Sequence, residues 1–547
     1  MSVATEGDYQ FAPEERPAFP GSPFSPAHHP YRRLAFGAAG LVCGIGSTFG
    51  NALVTVNTAN LAGDLGVYVV TASVLPGIYV AMNATAALTL VRGRQQFGIP
   101  AVTHGLLLAY AISGIIQYFV PGLSTAILVR AVAGLCASAL VTMGLYYLMQ
   151  AFPARYRPLS LLFGISLPQL GTPLARLVPV DLLSLQHWRG LHLIETGVAL
   201  GILGICLALP LPRNERSKAF APLDLATILL FIPAMLIVCV VLSVGRFVWW
   251  TDTPWLGLAL AGAVPLFAAA TIIELSRKDP LLHLRWIGTR EMLRFAIVAI
   301  LVRVALAEQT YGSVGLLTSG GLNNDQLHTL FVLVALSMVA GMIVAALTLK
   351  ESRIRAQVIC AALIIALGAW MDTDATNVTR PHQLYISQML IGFGTTLFIG
   401  PGLVFGFIRV LRRGGDVFLT FLTMFSITQN VGGLGGSALL GTYQIARQKA
   451  HAAALSEHVI AADPQVAARI QSGTGALAST ITDPGAMAAQ GGGLLGQALN
   501  REATILAYND VAMLVVEIAL ATVLYLVYVS IYGAVQQRRL AAAGAKP

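Results

Sequence analysis

Fourteen apolar stretches follow one another along the chain, each close to the roughly 20 residues that a helix needs to cross a hydrocarbon layer. They begin near Ala35, Val67, Ile99, Ser124, Leu159, Leu191, Leu223, Trp255, Phe295, Leu327, Ala356, Leu384, Val417 and Leu506. A helix at the surface of a soluble protein keeps a polar face for water, and most of these stretches have none. The pattern predicts an all-α polytopic membrane protein with about 14 transmembrane helices. Composition agrees, because 56% of the 547 residues are hydrophobic and only 11% charged, far from the usual balance of soluble domains.

Polar segments set the boundaries. Residues 1–34 form a proline-studded polar tail (Pro13, Pro17, Pro20, Pro23, Pro26, Pro30), expected to be disordered and cytoplasmic. The first apolar stretch is long enough to span and stay uncleaved, so no secretory signal is expected. The five cysteines, Cys43, Cys136, Cys206, Cys239 and Cys360, lie in apolar stretches without metal or redox spacing and read as packing residues. No metal is expected.

The formal charge is +9, yet the basic residues are spread over short loops instead of one patch, which argues against a nucleic-acid partner. Most of them fall on alternate loops: Arg32 and Arg33, Arg92 and Arg94, Arg155 and Arg157, Arg213 to Lys218, Arg277 to Arg294, Lys350 to Arg355, Arg409 to Arg413, and Arg538 to Lys546. Cytoplasmic loops collect Lys and Arg, so both termini are expected in the cytoplasm and the protein in the inner (plasma) membrane.

Two stretches echo each other at nearly constant spacing. Arg92-Gly93-Arg94, Arg130, Gly134 and Arg155 correspond to Arg353-Ile354-Arg355, Gln388, Gly392 and Arg412. Halves that repeat in the same orientation imply a site between them. The expected divisions are a six-helix bundle at 35–211, two additional helices and a cytoplasmic loop at 212–294, a second six-helix bundle at 295–533 that includes a long outer segment at 444–505, and a cytoplasmic tail at 534–547.

Several motifs recur in an order that resembles one known family. Leu128-Val-Arg130-Ala-Val-Ala-Gly134, His187-Trp188-Arg189, Asp279-Pro280-Leu281-Leu282, Gln429-Asn430-Val431-Gly432-Gly433 and Ala507-Tyr508-Asn509-Asp510-Val511 are similar to signatures of the fourteen-span drug:proton antiporters of the major facilitator superfamily, the EmrB/QacA type. The resemblance covers roughly Leu34 to Gly533. It implies a major facilitator fold of two six-helix halves plus two extra helices, and, in a cell with an outer membrane, a periplasmic adaptor and an outer-membrane channel beyond the 444–505 segment. The sequence departs from the family in three places. The loop carrying Arg92 and Arg94, expected as a conformational gate, lacks the usual acid. The acid often found in the first span is replaced by Gly50-Asn51. The glycine-proline antiporter motif survives only as Gly164, Gly171 and Pro173.

An ionisable group in hydrocarbon costs about 2.5 to 3.5 kcal/mol on insertion scales, so each one asks for a reason. Arg130 either holds an anionic substrate, tunes a neighbouring carboxylate or satisfies backbone carbonyls. Glu308, in Arg303-Val-Ala-Leu-Ala-Glu308-Gln309-Thr-Tyr311, is the leading proton-coupling candidate, with a static ion pair as the alternative. Arg303, Gln309, Tyr311, Asn51 and Gln388 complete the expected substrate cavity. Glu195 and Glu517 are discounted because the resemblance places the last helix of each half at the periphery. Ser47, Asn51, Thr55 and Thr58 share one helical face, which either lines water or bonds between helices. No phosphate-binding G-x-x-x-x-G-K-[ST] loop, H-E-x-x-H or G-x-S-x-G motif occurs, so ATP drive and membrane hydrolysis are not expected. The reading is a non-enzymatic, cofactor-free secondary carrier, driven by the proton gradient, that exports amphipathic or aromatic small molecules. The alternatives are an exporter of one, anionic, metabolite and a non-transporting channel, receptor or scaffold.

Overall fold

The computed structural model describes residues 15–17, 21–216, 218–413, 417–460, 462–477 and 483–542. The expected tails 1–34 and 534–547 therefore lie partly outside the described residues. The first half contains α1 (Pro30–Val56), α2 (Thr58–Asp64), α3 (Val69–Ala72), α4 (Val74–Phe97), α5 (Ile99–Phe119), α6 (Leu123–Ala151), α7 (Arg157–Ser166), α8 (Gly171–Ala175) and α9 (Val180–Ala208). A hairpin of α10 (Pro222–Val248) and α11 (Pro254–Ser276) follows. Then come α12 (Leu284–Ile287), α13 (Arg290–Ala305), α14 (Glu308–Ser319), α15 (His328–Thr348), α16 (Ile354–Met371), α17 (Tyr385–Arg412), α18 (Phe418–Glu457), α19 (Pro464–Leu477) and α20 (Pro484–Ala542). An isolated bridge between Pro23 and Asn214 is the one β feature among the described residues.

Eleven described stretches are long and apolar enough to cross a membrane, which makes this a multi-pass membrane protein. The expected spans near Leu159, Phe295 and Val417 are helical but outside that group, each for a physical reason. Between α7 and α8 the chain tightens into a 3-10 turn at Leu167–Leu170, where Pro168 has no N–H to give and its carbonyl instead accepts from Thr48 Oγ1 at 2.5 Å. Between α13 and α14 the helix breaks at Leu306 and Ala307, so Glu308 falls in a first helical turn, where the helix dipole favours an anion. Helix α18 runs unbroken for 40 residues but is diluted by Gly, Thr and Gln.

The expected disordered tail needs correction where it is described. Residues 21–29 form a strap across the end of α6 and the 213–214 linker, held by Gln150 Nε2 donating to the Phe24 carbonyl at 2.9 Å, His28 bonded to Gln150 at 2.8 Å, and Phe24 N–H donating to the Arg213 carbonyl at 3.0 Å. Ser22 and Ser25 are buried in it. The prolines keep the strap extended, so its backbone is free to pair with helix-end side chains and the 213–214 linker. Gly98 makes the adjoining turn. It reverses the chain between α4 and α5 in one residue at φ +90°, and a Cβ there would lie 2.9 Å from the Arg216 guanidinium.

The α10–α11 hairpin packs against α4 and α18. The open end of the hairpin is closed by charge: Asp224 pairs with Arg277 at 2.6 Å, and Glu274 accepts from Thr227, from Arg277 at 3.1 Å and from the Leu282 N–H at 2.9 Å. His283 N–H bonds Thr420 Oγ1 of α18 at 2.9 Å, so the Asp279–Leu282 motif pins the hairpin to the second half. Asp510 of α20 accepts from Arg447 at 2.6 Å and is bonded to His451 at 2.7 Å, which clamps α20 to the far part of α18.

Candidate functional site

Between the halves lies a cavity of about 420 Å³. One wall comes from α1, α4, α6 and the α7–α8 region, the other from α13, α17 and α18. Asn51 and Arg303 line it as the sequence anticipates, and Thr55 of the α1 stripe lines it too. Ser47 instead bonds the Gly44 carbonyl of its own helix at 2.6 Å, and Thr58 bonds Val54 at 3.0 Å. Arg303 is held by its Nε donating to the Gln429 carbonyl at 2.9 Å. A Cβ on Gly433 would lie 3.0 Å from that Nε, so the glycine run in α18 makes room for the guanidinium. Tyr79, Tyr146, Phe407, Phe418 and Phe425 give the cavity an aromatic lining, and Asn83, Gln429 and Asn430 add amides.

Arg130 is not part of this cavity. It is 2% exposed and its Nη2 meets both carboxylate oxygens of Glu195, at 2.6 and 2.7 Å. Tyr110 Oη donates to the same carboxylate at 3.0 Å, and His192 Nδ1 lies 3.6 Å away. Glu195, discounted in the sequence because of its peripheral helix, is therefore the partner of Arg130. Gly50 permits the approach, since a Cβ there would lie 2.6 Å from the Tyr110 hydroxyl and 3.1 Å from Glu195 Oε1. The acid missing from the first span is in effect delivered from α9.

The second half carries a different cluster. Glu308, 2% exposed, accepts from Gln388 Nε2 at 3.3 Å, and the same amide nitrogen donates to Asp372 Oδ2 at 2.7 Å. Gln309 Nε2 donates to the Gln388 carbonyl at 3.2 Å. Neither carboxylate forms an ion pair with a cation among the described residues, and Asp372 Oδ1 is buried without a hydrogen-bond partner. The alternative of an ion-paired Glu308 thus does not hold, and Glu308, Gln309 and Gln388 sit behind the cavity wall instead of lining it. Asp372 was missed because, one residue beyond the end of α16 and near Asp374, it reads as a solvated loop acid.

The remaining candidates separate further. Tyr311 packs against Arg246, 4.7 Å from its ring centroid, and Tyr508, and bonds Gln444 at 3.4 Å, so it ties α14 to α10, α18 and α20. Gly164 lines the cavity, while Gly171 lets α8 approach α1, its notional Cβ being 2.1 Å from Thr48 Oγ1; Pro173 is buried beside it. The two gate arginines part company. Arg92 Nε lies 3.9 Å from Asp224 of the hairpin, whereas Arg94 turns into the cavity. Glu517 is exposed on the outside of α20. Arg176 Nη1 donates to Asn324 Oδ1 at 3.2 Å and Val180 N–H to Asp325 at 3.2 Å, joining the halves there.

Two solved structures are similar to the chain. The human organic anion transporter MFSD10 (TETRAN) aligns with a TM-score of 0.49 at 11% identity, covering 90% of this chain and 100% of that one. The major facilitator superfamily proton:xylose symporter XylE, bound to 6-bromo-6-deoxy-D-glucose, aligns with a TM-score of 0.48 at 13% identity, covering 89% of this chain and 95% of that one. No protein-family model matches the chain, and no curated protein does.

Proposed function

We propose that the chain is a fourteen-span secondary carrier of the major facilitator type that exports amphipathic, aromatic small molecules from the cytoplasm by alternating access, driven by protons. The observation that carries this reading is the aromatic, amide-lined cavity with one wall from each half, the place where two repeated bundles rocking against each other expose a site to alternate sides. Helices α7–α8, α13–α14 and α18 supply the three passes beyond the eleven long apolar ones; their breaks and polar residues are tolerable because they face protein and cavity instead of lipid.

Proton coupling is assigned to Glu308, with Asp372 as its partner. Supporting this, the two buried carboxylates share one amide donor and pair with no cation among the described residues, an arrangement that disfavours two charges together in a medium of low dielectric. The basic loops support cytoplasmic termini. The outer helices at 444–505 are the proposed docking element for a periplasmic adaptor leading to an outer-membrane channel.

The test is transport in liposomes under an imposed pH gradient, using fluorescein and rhodamine 6G as aromatic probes. Wild-type protein is expected to move at least one of them in exchange for protons. Glu308→Gln should bind dye as before, fold at normal yield and lose the response to the gradient. A normal gradient response in that variant removes Glu308 as the coupling acid, and no transport of either dye by wild type removes the carrier reading.

A further inference from the structure

Three arginines, Arg94, Arg303 and Arg176, line the cavity, and no Asp or Glu does so among the described residues. Their order along the chain and the basic-loop topology place Arg94 toward the cytoplasm, Arg303 within the bilayer and Arg176 at the outer end. Arg176 is engaged by Asn324 and lies 5.1 Å from the Phe331 ring centroid, and Arg303 is engaged by the Gln429 carbonyl. Arg94 differs. It is 3% exposed, its Nε and Nη2 have no hydrogen-bond partner, and its neighbour is the Tyr146 ring, 6.0 Å from the guanidinium carbon.

A guanidinium without a counter-ion in such a place is costly, and burial with two donors unmade adds to the cost. Nε and Nη2 are not any two of its donors. They form one straight edge of the fork, the edge whose paired N–H bonds match the two oxygens of a carboxylate or the oxygens of a sulfonate or phosphate. The wall around it completes a ligand of a particular kind. Tyr79 and Phe425 line the same cavity with aromatic surface, and the amide of Gln429 and Oδ1 of Asn51, which line it too, have no hydrogen-bond partner.

We propose that Arg94 is the anion-binding group of the cavity, and that the carrier loads aromatic organic anions, head toward the cytoplasmic end and ring toward the bilayer centre. This rests on the carrier reading for its transport consequence but not for the binding itself. Arg303 and Arg176 continue the same sign of charge toward the outer face, so an anion moving outward is never left opposite a carboxylate on the cavity wall.

Fluorescein and rhodamine 6G share a xanthene ring and differ in charge, so their binding to full-length protein in nanodiscs, read by fluorescence anisotropy, isolates the head group. Fluorescein is expected to bind at least tenfold more tightly than rhodamine 6G. Arg94→Gln should weaken fluorescein tenfold or more, and Arg94→Lys should restore part of the loss by keeping charge without the fork. With no ligand present, Arg94→Gln should melt at the same temperature as wild type or higher, because it removes an unpaired buried charge; a structural arginine would lower it. On wild-type protein alone, 1-naphthoate should displace fluorescein and 1-naphthylmethanol should not. Equal binding of the two dyes, binding of neither, displacement by the alcohol, or an Arg94→Gln variant that binds fluorescein normally overturns the proposal. Fluorescein bound through Arg94 but not moved in liposomes would keep the anion site and discard the carrier, whereas transport without charge preference would do the reverse.

Discussion

Arg130 and Gln388 correspond in the echo between the two stretches of sequence, and the clusters around them behave as opposites. In the first half a guanidinium meets one carboxylate, Glu195, with a tyrosine hydroxyl completing it. Charge is balanced there. In the second half an uncharged amide stands at the same place between two carboxylates, Glu308 and Asp372, and can donate hydrogen bonds but no charge. A guanidinium in one cluster and an amide in the other separate a fixed ion pair from two acids that share one donor, which is why the first cluster reads as structural and the second is the one proposed to carry protons.

The comparison can be broken most severely at Arg130. Arg130→Ala leaves Glu195 buried and unpaired, a change that typically costs about 3 to 5 kcal/mol, so the yield of monodisperse protein should collapse. Converting the second cluster into the first is more informative. Gln388→Arg should give folded protein at normal yield, fix Glu308 and Asp372 in their charged forms and abolish gradient-driven dye movement in liposomes. Retained gradient response in that variant would mean that the neutral amide is irrelevant to coupling. Tyr110→Phe removes one hydrogen bond to a charged acceptor, about 1.5 to 3 kcal/mol, and should lower the melting temperature without altering the pH dependence of transport.

The smallest effect lies outside both clusters, at the strap. Burial, with Arg32 and Arg33 nearby, holds the pKa of His28 below the ordinary histidine value, so the docked strap binds fewer protons than a released one. Docking is then strongest above about pH 6.5 and weakens as pH falls below it. A spin label on Ser25→Cys should become more mobile on acidification from neutrality, and His28→Asn should remove that dependence.

What the sequence made legible follows from what hydrophobicity measures. It reports depth along a helix axis, so eleven of the span positions and the buried Arg130 and Glu308 could be read. It reports little about direction around the axis when a helix is apolar on every side. That is why Arg130 and Gln388 were expected in the cavity and turn away from it, and why Arg94, read as a gate residue, turns in. Glu195 was visible but discounted by the position of its helix; a carboxylate that deep asked for a cation, and Arg130 was the buried one to pair with it. Asp372 and the Asp224–Arg277–Glu274 cluster sit where a chain leaves the bilayer, and there charged residues look alike whether they are solvated or enclosed. The break before Glu308 carries no proline or glycine that would announce it.

Helix α18 touches the cavity at residues from Phe418 to Ser437 and continues without interruption to Glu457. The stretch beyond the cavity is about 30 Å long at 1.5 Å per residue, so a tilt of about 10° at the cavity displaces its tip by roughly 5 Å. The helix is thus a mechanical lever with one arm along the cavity and a second arm of equal length beyond it. Because Arg447 and His451 grip Asp510 partway along that arm, α20 is carried with it, and a tilt that begins at the cavity is felt at the tip.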